Sequence, residues 1–198
     1  KKNLNELKKN LIAGINLSCV GDNKNFSFIS SVNENTYSDL IIKRVLENRK
    51  FKKFSFEKRG SNERQFGCQN LNLPFITLCR SRFGDYKEYH TSLDNLNIIS
   101  NKSLNGSVKI VKKFVDEIQR NQIFIKDILC EPFLFKYNLI SNVSKFEKAK
   151  NRDVKNICAF TNKNIDTKEL KNKFKINDTK LKKIIKELSR KKIIKEFI

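Results

Sequence analysis

The 198-residue sequence lacks methionine and tryptophan, and it contains one histidine, two prolines and six glycines. Because Lys1 is not a translation start, we expect the chain to be a piece of a longer polypeptide. No apolar run approaches the roughly 18 residues of a membrane-spanning helix, and the polar stretch at 1–10 does not begin a signal peptide. These absences predict a chain without a membrane span or leader.

Close pairs of cysteines are also missing. The five cysteines are an odd number, and most lie inside apolar segments: Cys19, Cys68, Cys79, Cys130 and Cys158. This spacing excludes a cysteine-rich zinc site, and it favours reduced thiols in a cytoplasmic protein.

Acidic residues are scarce, with 21 Asp and Glu against 42 Lys and Arg, which gives a net charge of +21. Residues 1–100 hold 17 basic and 10 acidic groups, whereas residues 101–198 hold 25 and 11. The excess is typical either of a polyanion-binding protein or of lysine and asparagine enrichment on solvated faces. A hydrophobic content of 38% with 16 phenylalanines excludes a disordered basic tail.

The first part of the chain alternates between strand-like and helix-like patterns. An apolar stretch at Leu11–Gly21 predicts a buried strand, with Asp22 directly after it. A helix is predicted at 36–49, a strand beginning at Phe51, a loop at 59–72 and a buried strand at 72–80. A longer helix is predicted from about Ser100 to Asn121, from the 4-3-4-3 spacing of its apolar stripe at Leu104, Val108, Val111, Val115 and Ile118. This order predicts an α/β domain with its site on the loops.

The C-terminal pattern differs from the first part. From Arg152 onward we expect three short helices, the second capped by Thr167, and then a strand within Lys191–Ile198. Three helices with a tight turn and a strand are typical of a winged helix-turn-helix module. The predicted organisation is an α/β domain at 1–125, a connecting segment at 126–150 and the winged helix at 151–198.

His90, the single histidine, lies in a long loop rich in aromatic residues, between a buried strand and a helix. A lone histidine is more often structural or simply exposed than functional. A loop of this length and composition is not a plain connection, and this raises the prior for function.

The stretch GSNERQFGCQNLNLPFITLCRSRFGDYKEYHTSLDNL resembles bacterial aminopeptidase-like proteins encoded among polysaccharide-biosynthesis genes, which are related to the two-zinc exopeptidases of the leucyl aminopeptidase type. The segment LSCVGDNKNFSF also looks like their strand-turn segment. The resemblance implies the C-terminal portion of a zinc-exopeptidase-like α/β/α sandwich, followed by the winged helix.

The same resemblance implies metal ligands. His90 occupies the place of a late zinc ligand, and neutral imidazole suits Zn²⁺. Asp22 matches another ligand, and an ordinary turn residue is the equally weighted alternative. Asp94 either orients His90 or caps the following helix, and the cap is slightly favoured.

Substrate contacts are implied for Glu63, Arg64 and Tyr89. Glu63 would bind a substrate amine and Arg64 a carboxylate or a loop carbonyl, whereas the alternative is an internal ion pair that holds the loop. The sequence departs from the family pattern at Asn62, where aspartate is usual, and at Lys87, where proline is usual.

The implied activity is removal of an N-terminal amino acid, or cleavage of a related amide, by two zinc ions that polarise the carbonyl and activate a bridging water. By the resemblance, the first histidine ligand, the bridging aspartate and the glutamate base lie upstream of Lys1, in the other half of the same domain. This chain then holds at most two ligands, so we expect it to bind zinc weakly and to hydrolyse nothing.

Two further hypotheses stay open. One is a non-catalytic scaffold of polysaccharide biosynthesis that binds a peptide, an amino-sugar or a partner protein, in place of the peptide or amino-acyl small-molecule substrate of the hydrolase. The other is nucleic-acid binding through the basic helix at 178–192, which is disfavoured because lysine contacts phosphates without reading bases.

Overall fold

The computed structural model describes residues 3–140 and 148–198, and the chain forms two compact units that divide between Ile118 and Gln119. They are called the N-terminal unit and the C-terminal unit below. The predicted connecting segment at 126–150 includes residues 141–147, which lie outside the described residues.

The N-terminal unit is a mixed α/β structure. Its strands are β1 (Gly14–Leu17), β2 (Phe26–Ile29), β3 (Phe51–Phe54) and β4 (Phe75–Cys79). Its α-helices are α1 (Leu4–Asn10), α2 (Tyr37–Leu46), α3 (Glu63–Phe66) and α4 (Asn101–Arg120), the last of which ends just past the unit boundary. Short 3₁₀ turns occur at Phe56–Lys58 and Leu96–Ile98.

The four strands form one mixed sheet in the order β1-β4-β2-β3. β1 is parallel to β4, β2 is parallel to β3, and the central pair β4 and β2 is antiparallel. The central strands are the most apolar because helices cover them, and Phe28, Ile29, Ile76 and Leu78 are fully buried. α2 adds Tyr37, Ile41, Ile42 and Leu46 to this core.

Several predicted elements are confirmed and others are displaced. The strand predicted at 72–80 is β4, and the helix predicted at 36–49 is α2, which begins at a capping box where Asp39 accepts from the Thr36 N–H at 3.0 Å. The strand predicted at Leu11–Gly21 is shorter, since β1 ends at Leu17. The predicted loop at 59–72 contains the one-turn helix α3.

The long predicted helix is confirmed as α4, and its apolar residues are divided between the inner and the outer face. The buried residues of α4 are Ser103, Ser107, Ile110 and Phe114. The predicted stripe points outward in the N-terminal unit, with Leu104 39%, Val108 56% and Val115 44% exposed. Serine residues occupy the inner face of α4 because their hydroxyls form hydrogen bonds there. Ser107 donates to the Val20 carbonyl at 2.8 Å.

The C-terminal unit contains β5 (Phe124–Lys126), a 3₁₀ turn at Leu134–Tyr137, α5 (Lys148–Phe160), α6 (Thr167–Phe174), α7 (Asp178–Arg190) and β6 (Ile194–Glu196). β6 pairs with β5 in an antiparallel ladder. The three predicted helices and the final strand are therefore present. The core of this unit includes Ile157, Leu170, Leu181 and Leu188.

The predicted cap of α6 is off by one residue. Asp166 is the cap, and its carboxylate accepts from the Glu169 N–H at 2.8 Å, whereas Thr167 is the first helical residue. Asn177 caps α7 in the same way.

All five cysteines are free. Among the described residues, no helix has the length and apolar character needed to span a membrane.

Candidate functional site at one end of the central strands

The carboxyl ends of β1 and β4 lie side by side because the two strands are parallel neighbours. Their pairing continues past the strands, since the Ser18 N–H donates to the Leu78 carbonyl at 3.1 Å and the Arg80 N–H to the Cys19 carbonyl at 3.0 Å. Loops that follow parallel strands at such an edge are the usual position of a binding site in α/β proteins.

Asp22 joins the two loops. Its Oδ1 accepts from the Lys24 N–H at 2.7 Å, which closes a turn, and its Oδ2 accepts from the Ser81 N–H at 3.0 Å. The predicted turn role is therefore present, and the carboxylate also reaches across to the segment after β4. Each oxygen keeps acceptor capacity beyond its one hydrogen bond.

The loop after β4 is held by aromatic contacts. The Tyr86 hydroxyl donates to Cys19 Sγ at 3.4 Å, and the Tyr86 ring packs edge-on against Tyr89 at a centroid distance of 5.6 Å. Tyr89 stacks on the His90 imidazole at 4.0 Å with an interplanar angle of 15°. This chain of contacts runs from the end of β1 to His90.

His90 is exposed and has a φ of 58°, which is the left-handed region that non-glycine residues seldom occupy. Cys19 has a φ of 50° at the other end of the same chain of contacts. Unusual backbone conformations of this kind are concentrated at binding and catalytic sites. Stacking leaves the edges of the imidazole, where its nitrogens lie, outside the ring-to-ring contact.

Tyr86 lies near both predicted carboxylates. Burial raises the pKa of the Tyr86 phenol far above its usual value, and Cys19, Asp94 and Asp22 raise it further. The phenol is therefore a neutral hydrogen-bond donor at every physiological pH.

The cap alternative for Asp94 is wrong. Asn95 caps the 3₁₀ turn at Leu96–Ile98 by accepting from the Asn97 N–H at 3.0 Å. Ser100 holds the first turn of α4 by accepting from the Ser103 N–H at 3.1 Å. The Asp94 side chain is exposed.

Glu63 is fully buried at the start of α3. Its Oε1 accepts from the Gly60 and Ser61 N–H groups at 2.7 and 3.0 Å, and its Oε2 accepts from the Thr77 hydroxyl at 2.8 Å and from Asn16 Nδ2 at 3.2 Å. Burial raises the pKa of Glu63, but these hydrogen bonds outweigh it and the net pKa lies below its ordinary value. The carboxylate holds the 60–63 turn to the sheet, through amides and hydroxyls rather than the predicted ion pair. It has no solvent-accessible surface through which to contact a substrate.

Arg64 and Asn62 are exposed on either side of Glu63. Tyr89, the third predicted substrate residue, lies in the aromatic loop after β4. Nothing in the sequence pattern singles out Tyr86 or Cys19, because each gains its role from a contact across 67 positions of the chain.

The donors His90 and Asp22 suit zinc by their chemistry, since an imidazole nitrogen and a carboxylate oxygen are common zinc ligands. A catalytic zinc needs three protein ligands, and the described residues contain no cluster of three or more histidine, cysteine or acidic side chains that could hold a metal. Within 3–140 and 148–198, the residues do not fit a complete zinc site.

A crystal structure of a "putative peptidase" from Clostridium acetobutylicum has the same fold, with a TM-score of 0.61 and 24% sequence identity over 98% of this chain and 44% of its own. A protein of the same organism, named "putative polysaccharide biosynthesis protein with aminopeptidase-like domain", is 31% identical over 148 residues, which are 70% of this chain and 33% of that protein. The chain thus spans about a third of this curated relative.

A family model also matches residues 1–121, and its description is "Domain of unknown function (DUF4910)". The matched range contains the whole N-terminal unit, with both loops at the ends of β1 and β4. Since the match covers more than half of the 198 residues, this chain belongs to the DUF4910 family.

Proposed function

We propose that this chain is part of an aminopeptidase-like hydrolase, which removes an N-terminal amino acid or cleaves a related amide, and that it contributes His90 and Asp22 as zinc ligands. The observation that carries the proposal is the double hydrogen bond of Asp22, which ties the end of β1 to the loop after β4. The aromatic contacts then connect that end of the sheet to His90. The name of the 31% identical relative supports the class of activity.

In this proposal the residues of the chain bind and orient. Tyr89 sets the plane of the His90 ring, and Tyr86, fixed on Cys19, supports Tyr89. Asp94 orients the site through its charge. Arg64, exposed beside the buried Glu63, contacts the substrate carboxylate. The remaining ligands and the general base come from the other half of the domain, in the same longer polypeptide.

The outward stripe of α4 supports that partner. Leu104, Val108 and Val115 are each more than a third exposed, and an apolar helix face of this kind is normally covered. We propose that the other half of the aminopeptidase-like domain packs there. This arrangement also explains why the chain on its own is expected to be inactive.

For the C-terminal unit we propose a winged helix module. Its support is the tight turn between α6 and α7, where Lys175 is left-handed, together with the β5–β6 ladder. The exposed cations Lys182, Lys183 and Lys186 on α7 supply charge without the side chains that read bases, so sequence-specific DNA binding stays disfavoured.

The zinc hypothesis has a direct test because His90 is the only histidine. Zinc added to the 198-residue chain should shift the single set of imidazole signals in ¹H–¹⁵N NMR spectra. Asp22→Asn should raise the zinc concentration needed for half of that shift by about tenfold, the loss expected when a ligand is removed. The matched control is Asp85→Asn, an exposed aspartate of the loop that carries His90, where it pairs with Arg82.

The same samples are assayed with aminoacyl-nitroanilides. The chain alone should release no amino acid, and a longer natural polypeptide that contains it should lose activity on His90→Ala. An unmoved His90 signal, or equal titrations for Asp22→Asn and Asp85→Asn, would overturn the ligand assignment. Zinc-dependent turnover by the isolated chain would overturn the proposal that it holds only part of the zinc site.

A further inference from the structure

The N-terminal unit has a second concave region beside the Asp22 turn. It is a cavity of about 610 Å³ between the start of β2, the segment just before β3, the residue after β4 and the first turns of α4. Its lining residues are Asn23, Lys24, Asn25, Phe26, Arg49, Lys50, Arg80, Lys102, Ser103 and Gly106. Cavities that bind small molecules have volumes of about this size.

Five of the ten lining residues are cationic and none is acidic. In the described part of the chain, Lys24, Arg49, Lys50 and Lys102 form no salt bridge. All four are exposed residues that line the cavity. Neutral polar groups complete the wall, with the amides of Asn23 and Asn25 and the hydroxyl of Ser103.

Arg80, the fifth cation, is half-buried and rigidly held. Its Nη1 donates to the Lys24 carbonyl at 2.6 Å, its Nη2 to the Ser103 carbonyl at 3.1 Å and its Nε to the Ser107 hydroxyl at 3.3 Å. Its guanidinium lies over the Phe26 ring at 4.2 Å, and Arg49 lies over the same ring at 6.0 Å. Two arginines thus share one aromatic side chain.

The charge of Arg80 is only partly compensated. Burial lowers the pKa of Arg80, Asp22 raises it, and the neighbouring Arg49 lowers it again. Two like charges held close together repel, and an anion between them would relieve the repulsion. Within the described residues, the Arg80 guanidinium donates to two carbonyls and a hydroxyl rather than to a carboxylate.

Gly106 makes this arrangement sterically possible. A Cβ at position 106 would lie 2.7 Å from Arg80 Nη2, so only glycine leaves the guanidinium in its place. Glycine in the interior of a helix costs about 1 kcal/mol relative to alanine, because it gives up more backbone freedom. α4 therefore has a destabilising glycine at the position beside the Arg80 guanidinium in the cavity wall.

We infer that this cavity binds a small, multiply charged phosphate compound of the diphosphate class. Five cations around one cavity match a ligand with several negative charges, and arginine and lysine are the side chains that bind phosphate oxygens. The volume leaves room for a substituent on the phosphates. The site is separate from the proposed zinc ligands and does not depend on the hydrolase proposal.

Pyrophosphate is the probe, measured by isothermal titration calorimetry against the 198-residue chain at constant ionic strength, with inorganic phosphate, sulfate and a short single-stranded oligonucleotide as competitors. Lys102→Ala and Arg49→Ala should each weaken pyrophosphate binding about tenfold, the loss expected for one charge-assisted contact. Lys109→Ala is the matched control, because Lys109 is exposed on the same face of α4 about 10 Å further along and does not line the cavity. It should change the affinity less than twofold.

Gly106→Ala tests the role of Arg80 without removing a charge. The added methyl group should displace the guanidinium and weaken pyrophosphate binding severalfold, while thermal unfolding stays unchanged or shifts upward. Equal losses in Lys102→Ala and Lys109→Ala, or unchanged affinity in Gly106→Ala, would overturn the site. Tighter binding of the oligonucleotide than of pyrophosphate would assign the surface to nucleic acid instead.

Discussion

At the scale of single residues, Glu63 shows how one carboxylate can fix a loop. Four donors converge on its two oxygens, two from the backbone of the 60–61 turn and two from side chains of the sheet. A buried carboxylate is tolerated there because each oxygen accepts two hydrogen bonds.

Glu63→Gln should lower the free energy of unfolding by about 1–3 kcal/mol at pH 7, because the amide NH₂ would face hydrogen-bond donors. The loss should depend on pH. Since the pKa of Glu63 is lowered in the folded state from its ordinary 4.5, its stabilisation is present above that value and disappears as pH falls through the folded pKa. Denaturant unfolding between pH 3 and 8 measures both effects.

Glu57→Gln, an exposed glutamate in the preceding 3₁₀ turn, is the control and should be nearly neutral at every pH. If the two substitutions cost the same at pH 7, Glu63 does not hold the loop. A difference between them that persists unchanged at pH 3 would place the effect in packing rather than in the carboxylate charge.

Sequence motifs point to Asp22, Glu63 and His90 as residues worth attention, but they do not tell which of them is buried. The partners of Glu63 include Asn16, 47 positions away, and Thr77, 14 positions away. Only the register of β1 against β4 brings these partners together, since Asn16 lies opposite Thr77. The motif therefore predicts the chemical group and the sheet determines what that group does.

At the scale of elements, α4 shows what hydrophobic periodicity can predict about a helix and what it cannot. Its apolar stripe at 104, 108 and 115 predicts a helix correctly, yet these three side chains lie on the exposed face. The face that packs on the N-terminal unit mixes Ser103 and Ser107 with Ile110 and Phe114. The hydrophobic pattern identifies the helix, whereas the hydrogen bonds of Ser107 with Arg80 and with the Val20 carbonyl determine which face of the helix is buried.

The two faces of α4 can be compared with one pair of substitutions. Val108→Lys should leave the melting temperature nearly unchanged, because Val108 is 56% exposed. Ile110→Lys should unfold the N-terminal unit or cost more than about 3 kcal/mol, because it buries an unpaired charge at a fully buried position. Circular dichroism melts measure both.

Size-exclusion chromatography of Val108→Lys adds a second readout. If the outward stripe causes the isolated chain to self-associate, the lysine variant should associate less and therefore elute later than wild type at high protein concentration. Equal destabilisation by the two substitutions would show that the stripe is covered within this chain.

At the scale of the whole molecule, the net charge of +21 is spread over two separate units. Such a charge opposes compactness through self-repulsion, and salt screens it over a Debye length of about 10 Å at 0.1 M. We expect the melting temperature to rise between about 0.02 and 0.5 M KCl.

Lys182→Glu on the exposed face of α7 should reduce this salt dependence, because it removes two units of positive charge without touching the core. Differential scanning calorimetry at several KCl concentrations measures it. A melting temperature that falls with salt would show that attractive ion pairs outweigh the repulsion.

The general organisation of the molecule was accessible from sequence, because strongly periodic segments and a long motif span most of the N-terminal unit. The cation-lined cavity could not be predicted from the sequence. Its residues come from four places along the chain, near positions 24, 50, 80 and 103, and none of them forms a motif. Their proximity follows from the antiparallel pairing of β2 with β4, which brings the start of one strand to the end of the other.

The turn at residues 22–25 touches both proposed sites. Asp22 bonds the loop after β4, Asn23 accepts from the hydroxyls of Ser100 and Ser103, and the Lys24 carbonyl accepts from Arg80. We expect a ligand that tightens this turn from one side to alter binding on the other side. Thermodynamic reciprocity then requires that any factor by which a diphosphate changes the affinity for zinc is the factor by which zinc changes the affinity for the diphosphate.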